Sequence, residues 1–196
     1  MPRLVDHDAR RRELVETTWK VVADRGLSGA TLRQIAEEAG YANGALKPYF
    51  PTKSALIEAT YAHVFERTEA RIDAALADAR GVEAMRRLCR EVIPRGDELV
   101  REARLVLSFW DQAARQEAEA LAAAATMAAW RDRLHGMLAE AAVDGMLRPD
   151  IPTGPVVEAL LAWLFGTQVT AVMDPERHGP DSLDAQLEAF LALLSA

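Results

Sequence analysis

Apolar positions recur every three to four residues along almost the whole chain, and no run alternates β-branched with polar residues, so the sequence predicts an all-α protein of about nine helices. The first runs from about Asp8 to Arg25 with Leu14, Thr18, Val21 and Val22 on one face, and Gly26 is placed for a left-handed C-cap. Thr31 followed by Gln34 makes a capping box, after which Leu32, Ile35, Ala36 and Ala39 form the stripe of a second helix stopping at Gly40. A short third helix is expected from Asn43 to Phe50, with Leu46 and Phe50 in the core and Pro48 making it irregular. Thr52 caps a long fourth helix to about Asp78, with Ile57, Tyr61, Val64, Phe65, Thr68 and Ile72 on one side and Gly81 ending it. Helices near 82–93, 97–116, 118–144, 155–173 and 182–195 follow, separated by breaks rich in Pro, Gly and Asp.

Charge divides the same chain. Its 196 residues carry a net charge of -7, which argues against a nucleic-acid partner. Residues 1–53, however, hold nine Lys+Arg against seven Asp+Glu, leaving 14 against 23 for residues 54–196. The acidity belongs to the second part, and a small, weakly basic module is joined to an acidic body. Half the residues are hydrophobic, enough for a substantial core. A lone cysteine, Cys89, closes no intrachain disulfide and fits a reducing, cytoplasmic setting. The apolar stretch Val156 to Met173 contains Glu158, Thr167, Gln168 and Thr170 and has no basic flanks, so it reads as a buried helix and no membrane partner is expected.

Two short helices joined by a tight, glycine-containing turn have the size of a helix-turn-helix. The residues themselves, TLRQIAEEAGYANGALKPYFPTKSAL from Thr31 to Leu56, resemble the N-terminal signature of the tetracycline-repressor (TetR) family of bacterial regulators. The body, with EARLVLSFWDQAARQ, GMLRPDIP and MDPERHGPDSLDAQL, resembles the branch of choline-responsive BetI repressors. The resemblance implies a three-helix, helix-turn-helix DNA-binding domain over residues 1–53 and a helical ligand-binding and dimerisation domain over 54–196. It implies double-stranded operator DNA as partner, with Thr31 on a phosphate, Arg33 on a base edge, Asn43, Gly44 and Ala45 facing the major groove, and Lys47, Tyr49 and Lys53 on phosphates or the groove edge. Ala42, Ala45, Lys47 and Pro48 depart from the family's common residues, which puts the target sequence out of reach.

The same resemblance places a homodimer interface on the last two helices, where Leu160, Leu164, Leu183, Leu187, Phe190, Leu191 and Leu194 lie on apolar faces. It also implies a ligand cavity in the body. Tryptophans and methionines on apolar faces, with a few polar groups, suit an apolar or cationic small-molecule effector; the candidates are His63, Phe65, Trp110, Gln112, Met127, Trp130, Met137, Trp163, Thr167 and Gln168. Catalytic, phosphate-loop and dinucleotide motifs are absent, and His7, His63, His135 and His178 are scattered, so neither an enzyme nor a metal or cofactor is expected. The competing reading is a helical small-molecule-binding or interaction protein that has lost specific DNA binding.

Overall fold

The computed structural model describes residues 7–26, 31–42 and 44–196, apart from the side chains of residues 118, 119 and 122. It contains α1 (His7–Arg25), α2 (Leu32–Glu38), α3 (Lys53–Leu76), α4 (Gly81–Val92), α5 (Asp97–Ala113), α6 (Glu117–Val143), α7 (Thr153–Met173) and α8 (Pro180–Leu194). Among the described residues there is no strand, only an isolated bridge between Leu147 and Ser195 that ties the last residues to the turn after α6.

The caps behave as the sequence predicts. Thr31 accepts from the Gln34 N–H while the Gln34 side chain accepts from the Thr31 N–H, a complete capping box, and Thr52 accepts from the Ala55 N–H at the start of α3. Gly26 adopts φ +71° past α1. Gly81, expected to end the long helix, instead opens α4, its N–H donating to Glu140 at 2.9 Å.

The expected third helix is a run of turns. Ala45, Lys47 and Tyr49 donate three residues back, to Ala42, Gly44 and Leu46, at 3.0, 3.2 and 2.9 Å. Gly44 sits at φ +92°, a left-handed conformation no α-helix can pass through, and Pro48 has no N–H to give. Leu46 and Phe50 are nonetheless buried, so the stripe survives although the helix does not.

Two cores result. The smaller gathers Leu14, Val22, Ile35, Leu46, Phe50 and Leu56 from the N-terminal segments, together with Val64 of α3 and Leu105 of α5. The N-terminal module is thus completed by the body, and α3 runs through both. The larger core stacks α4, α6, α7 and α8 around Met85, Leu88, Leu134, Leu160 and Leu187. Arg90 and Arg95 pair with Asp184, and Arg86 with Glu188, fastening α8 across the end of α4.

Cys89 lies wholly inside this larger core, and burial pushes its thiol up to about 12. A thiol so far from ionising at neutral pH is inert. A maleimide is therefore expected to label Cys89 only as fast as the body unfolds; rapid labelling of the folded protein would show the core to be open.

Of the interface candidates, Leu160, Leu164, Leu183, Leu187, Leu191 and Leu194 are at most 4% exposed within the single chain, and Phe190 is half-buried. Their stripe faces the protomer's own core. The outer side of α7 and α8 carries other residues. Ala159, Ala162 and Gly166 line α7 beside Met173, and Ala185, Ala189 and Leu193 line α8. Met173 and Leu193 are 80% and 68% exposed. α7 is long and apolar enough to cross a membrane by composition alone, because it has a leucine side turned inward and an alanine–glycine side turned outward.

Candidate functional site

Two regions carry chemistry. The first is the exposed edge formed by α2, the following turns and the start of α3. Thr31, Arg33, Gly44 and Lys47 are exposed there, and Ala45, Tyr49 and Lys53 are half-buried. Asn43 lies outside the described residues. Arg33 Nε donates to Glu37 one turn on at 2.9 Å, so the guanidinium must exchange a surface ion pair for any base it meets. That costs little, because exposed pairs contribute about 0–1 kcal/mol. Partial burial at the first turn of α3 holds the Lys53 ammonium somewhat below its ordinary range.

The second region is a cavity of about 640 Å³, counted with the solvent at its mouth, between α3, the end of α4, α5, α6 and α7. Five aromatic rings line it. Tyr61 and Phe65 lie 6.4 Å apart, Phe65 and Trp130 6.1 Å, Trp130 and Phe165 6.4 Å, and Phe165 meets Trp110 edge-on at 5.3 Å. Trp110 and Tyr61 both pack against the small apolar cluster of Phe109, Ala113 and Ala123, and burial raises the Tyr61 pKa. Tyr61 is held from behind by Phe109, stacked at 3.7 Å.

The polar part of the lining is an ion cluster. Arg71 grips Glu102 with both terminal nitrogens, at 3.1 and 2.9 Å, and donates to Thr68 at 3.2 Å. Its Nε is 3.5 Å from Glu91, too long for a good hydrogen bond, and has no other partner. Glu102 is only 5% exposed. Among the described lining residues the charges are Arg71, Glu91 and Glu102, one positive against two negative. Gln168 donates to the Val92 carbonyl at 2.9 Å, and Trp130 to Glu69 at 2.6 Å, which orients both side chains.

Of the ten sequence candidates for the cavity, Phe65, Trp110, Met127, Trp130 and Gln168 are on its wall. The other five are placed elsewhere. Met137 is in the larger core, Thr167 donates to its own helix at Leu164, and Gln112 reaches Ser54. Trp163 bonds Gln186 at 3.1 Å between α7 and α8, and His63 is half-buried off the lining. The wall also holds Tyr61, Phe165, Arg71, Glu91 and Glu102, which are not among those candidates. A signal for Glu102 does exist: it interrupts the stripe Leu99, Val106, Trp110, where a solvated carboxylate has no reason to sit.

Comparison with known proteins matches two stretches of the chain. Residues 14–60 match the family described as bacterial regulatory proteins, tetR family, and residues 81–196 match the C-terminal family of BetI-type transcriptional repressors. The chain belongs to the TetR family. The HTH-type transcriptional regulator PksA of Bacillus subtilis (strain 168) is 30% identical over 184 residues, 93% of this chain and 88% of its own length. The HTH-type transcriptional regulator BetI of Paraburkholderia phytofirmans is 38% identical over a shorter stretch of 84 residues, 41% of this chain and 43% of its own. A transcriptional regulator from Saccharomonospora viridis, crystallised in complex with choline, shares the fold with a TM-score of 0.90 at 19% identity, over 96% of this chain and 99% of its own. As a TetR-family member the protein is a DNA-binding transcriptional regulator of repressor type, not an enzyme.

Proposed function

We propose that this TetR-family protein is a cytoplasmic homodimeric repressor that reads a pseudo-palindromic operator and is released by a small cation bearing an alkylated ammonium. The observation that carries the effector class is the aromatic wall of Tyr61, Phe65, Trp130, Phe165 and Trp110 beside a cluster with one negative charge in excess. Aromatic faces attract a desolvated cation by about 2 kcal/mol, and a neutral ligand of the same shape gains nothing from them electrostatically. The choline bound in the Saccharomonospora regulator is a compound of this class, which supports the reading.

Choline and its uncharged isostere 3,3-dimethylbutan-1-ol separate charge from shape. Tryptophan fluorescence should report choline binding through Trp110 and Trp130, with an affinity about tenfold or more above that of the alcohol. Equal affinities would remove the cation from the proposal.

On the DNA side, Arg33 would read a base edge, while Thr31, Lys47 and Lys53 would hold phosphates around the turn Gly44 to Tyr49. Arg33→Ala is expected to weaken operator binding by about 1–3 kcal/mol and to relax preference at one base pair. Lys47→Ala and Lys53→Ala should weaken binding to every duplex and each lower the salt slope by about one. Fluorescence anisotropy on operator and scrambled DNA at several salt concentrations distinguishes the two patterns. Loss of all sequence preference in the unaltered protein would favour the competing reading, a ligand-binding protein without specific DNA recognition.

A further inference from the structure

A recognition segment built from turns lacks the ladder of hydrogen bonds that keeps a helix in shape. Between Ala42 and Phe50 the backbone is broken by a left-handed Gly44 and a Pro48, and no α-helix forms among the described residues. Something else must fix how Gly44, Ala45 and Lys47 are presented, because a reading surface that samples many shapes has its affinity reduced in proportion to the fraction in the competent one.

The first turns of α1 grip both ends of this segment. At its far end Arg11 donates to the Tyr49 carbonyl at 2.9 Å, and its guanidinium lies 4.3 Å from the centre of the Phe50 ring. The Tyr49 ring packs on His7 at 5.3 Å. At the near end the Tyr41 hydroxyl donates to Glu13 at 2.8 Å, and Arg10, paired with that carboxylate at 3.2 Å, lies 4.8 Å over the Tyr41 ring. Arg11 thus does what an in-helix N–H does elsewhere: it satisfies a backbone carbonyl of the recognition segment and fixes the direction in which the chain leaves it.

We infer that Arg11 is a positioning residue for operator recognition, setting the shape of the Gly44–Tyr49 turn and through it the sequence preference, and is not itself a phosphate ligand. The inference rests on the DNA-binding reading above. Loss of Arg11 removes neither a base contact nor a phosphate contact, so its signature differs from those of both Arg33 and Lys47. Lysine keeps the charge at this position but lacks the planar guanidinium that stacks on Phe50 while donating to Tyr49.

The experiment begins by selecting operator sequences from a random duplex library with the unaltered full-length protein. Enrichment of no sequence would refute the DNA-binding reading itself, separately from the role of Arg11. On the selected duplex and a scrambled one, Arg11→Ala and Arg11→Lys should both lose about tenfold or more of the operator preference, with scrambled-DNA affinity, salt slope and thermal midpoint unchanged. Three results would each overturn the inference: an Arg11→Lys protein that binds like the unaltered one while Arg11→Ala loses about one unit of salt slope, an operator preference that survives both substitutions, or a lowered midpoint with both DNAs lost in parallel.

Discussion

Gly166→Glu is expected to convert the protein from dimer to monomer and to weaken operator binding by about a hundredfold or more. Within the protomer the substitution is harmless. A Cβ at Gly166 meets no atom within 4 Å, and glutamate is a better helix former than glycine by most of 1 kcal/mol. Any loss must therefore come from what covers that surface in the assembled protein. The outer face of α7 presents Ala159, Ala162 and Gly166, residues small enough for two helices to approach closely, flanked by Met173 and by Leu193 of α8. A two-fold axis across this face sets it against the same face of the partner, so that whatever residue i meets, its copy meets in return. One carboxylate from each subunit would then be buried in the contact without a partner, a penalty of several kcal/mol against association. A monomer keeps one reading module and loses the half-site spacing of about 34–36 Å that a dimer can match. Sedimentation equilibrium and operator anisotropy measure both parts; a stable dimer that still binds operator would place the subunit contact elsewhere.

That surface was hard to read from sequence for a definite reason. Hydrophobic periodicity shows that a helix face is buried, not what buries it. Leu183, Leu187, Leu191 and Leu194 make the strongest stripe in the C-terminal helix, and they serve the protomer's own core, while the proposed contact uses alanines and a glycine that read simply as helix-compatible. Local rules succeeded where the chemistry is local. Thr31 with Gln34, Thr52, Gly26, and the pair Leu46 and Phe50 are each decided within a few residues, and each is found as expected. The turn at Gly44 was half-legible: Pro48 predicts irregularity, but the positive φ of Gly44 comes from the assembled turn. The cavity's ion cluster joins Arg71, Glu91 and Glu102 from three helices, so no spacing within one segment announces it.

The effector and the operator are expected to weaken each other by the same factor, about 5- to 150-fold. One helix touches both sites. With 24 residues, α3 is about 36 Å long. It begins at Lys53 on the DNA side, contributes Leu56, Ile57 and Val64 to the N-terminal core, and lines the cavity with Tyr61, Phe65, Thr68 and Arg71. Arg71 ties it to Glu102 of α5, and α5 in turn reaches α1, where Arg104 donates to the Ala23 carbonyl at 3.3 Å and Leu105 enters the module's core. A cation settling beside Glu91 and Glu102 competes with Arg71 for the carboxylates that hold α3 and α5 in register. If the two helices then settle differently, the spacing of two modules changes, and operator affinity falls by the ligand's differential affinity for that arrangement. Reciprocity follows from linkage alone, whatever the details of the motion. Choline titrated by tryptophan fluorescence should bind more weakly when saturating operator is present, and operator titrated by anisotropy should bind more weakly in saturating choline, by one factor. Equal choline affinities with and without operator would mean that a cation can occupy the cavity without moving α3, and that release of the DNA is controlled from some other surface.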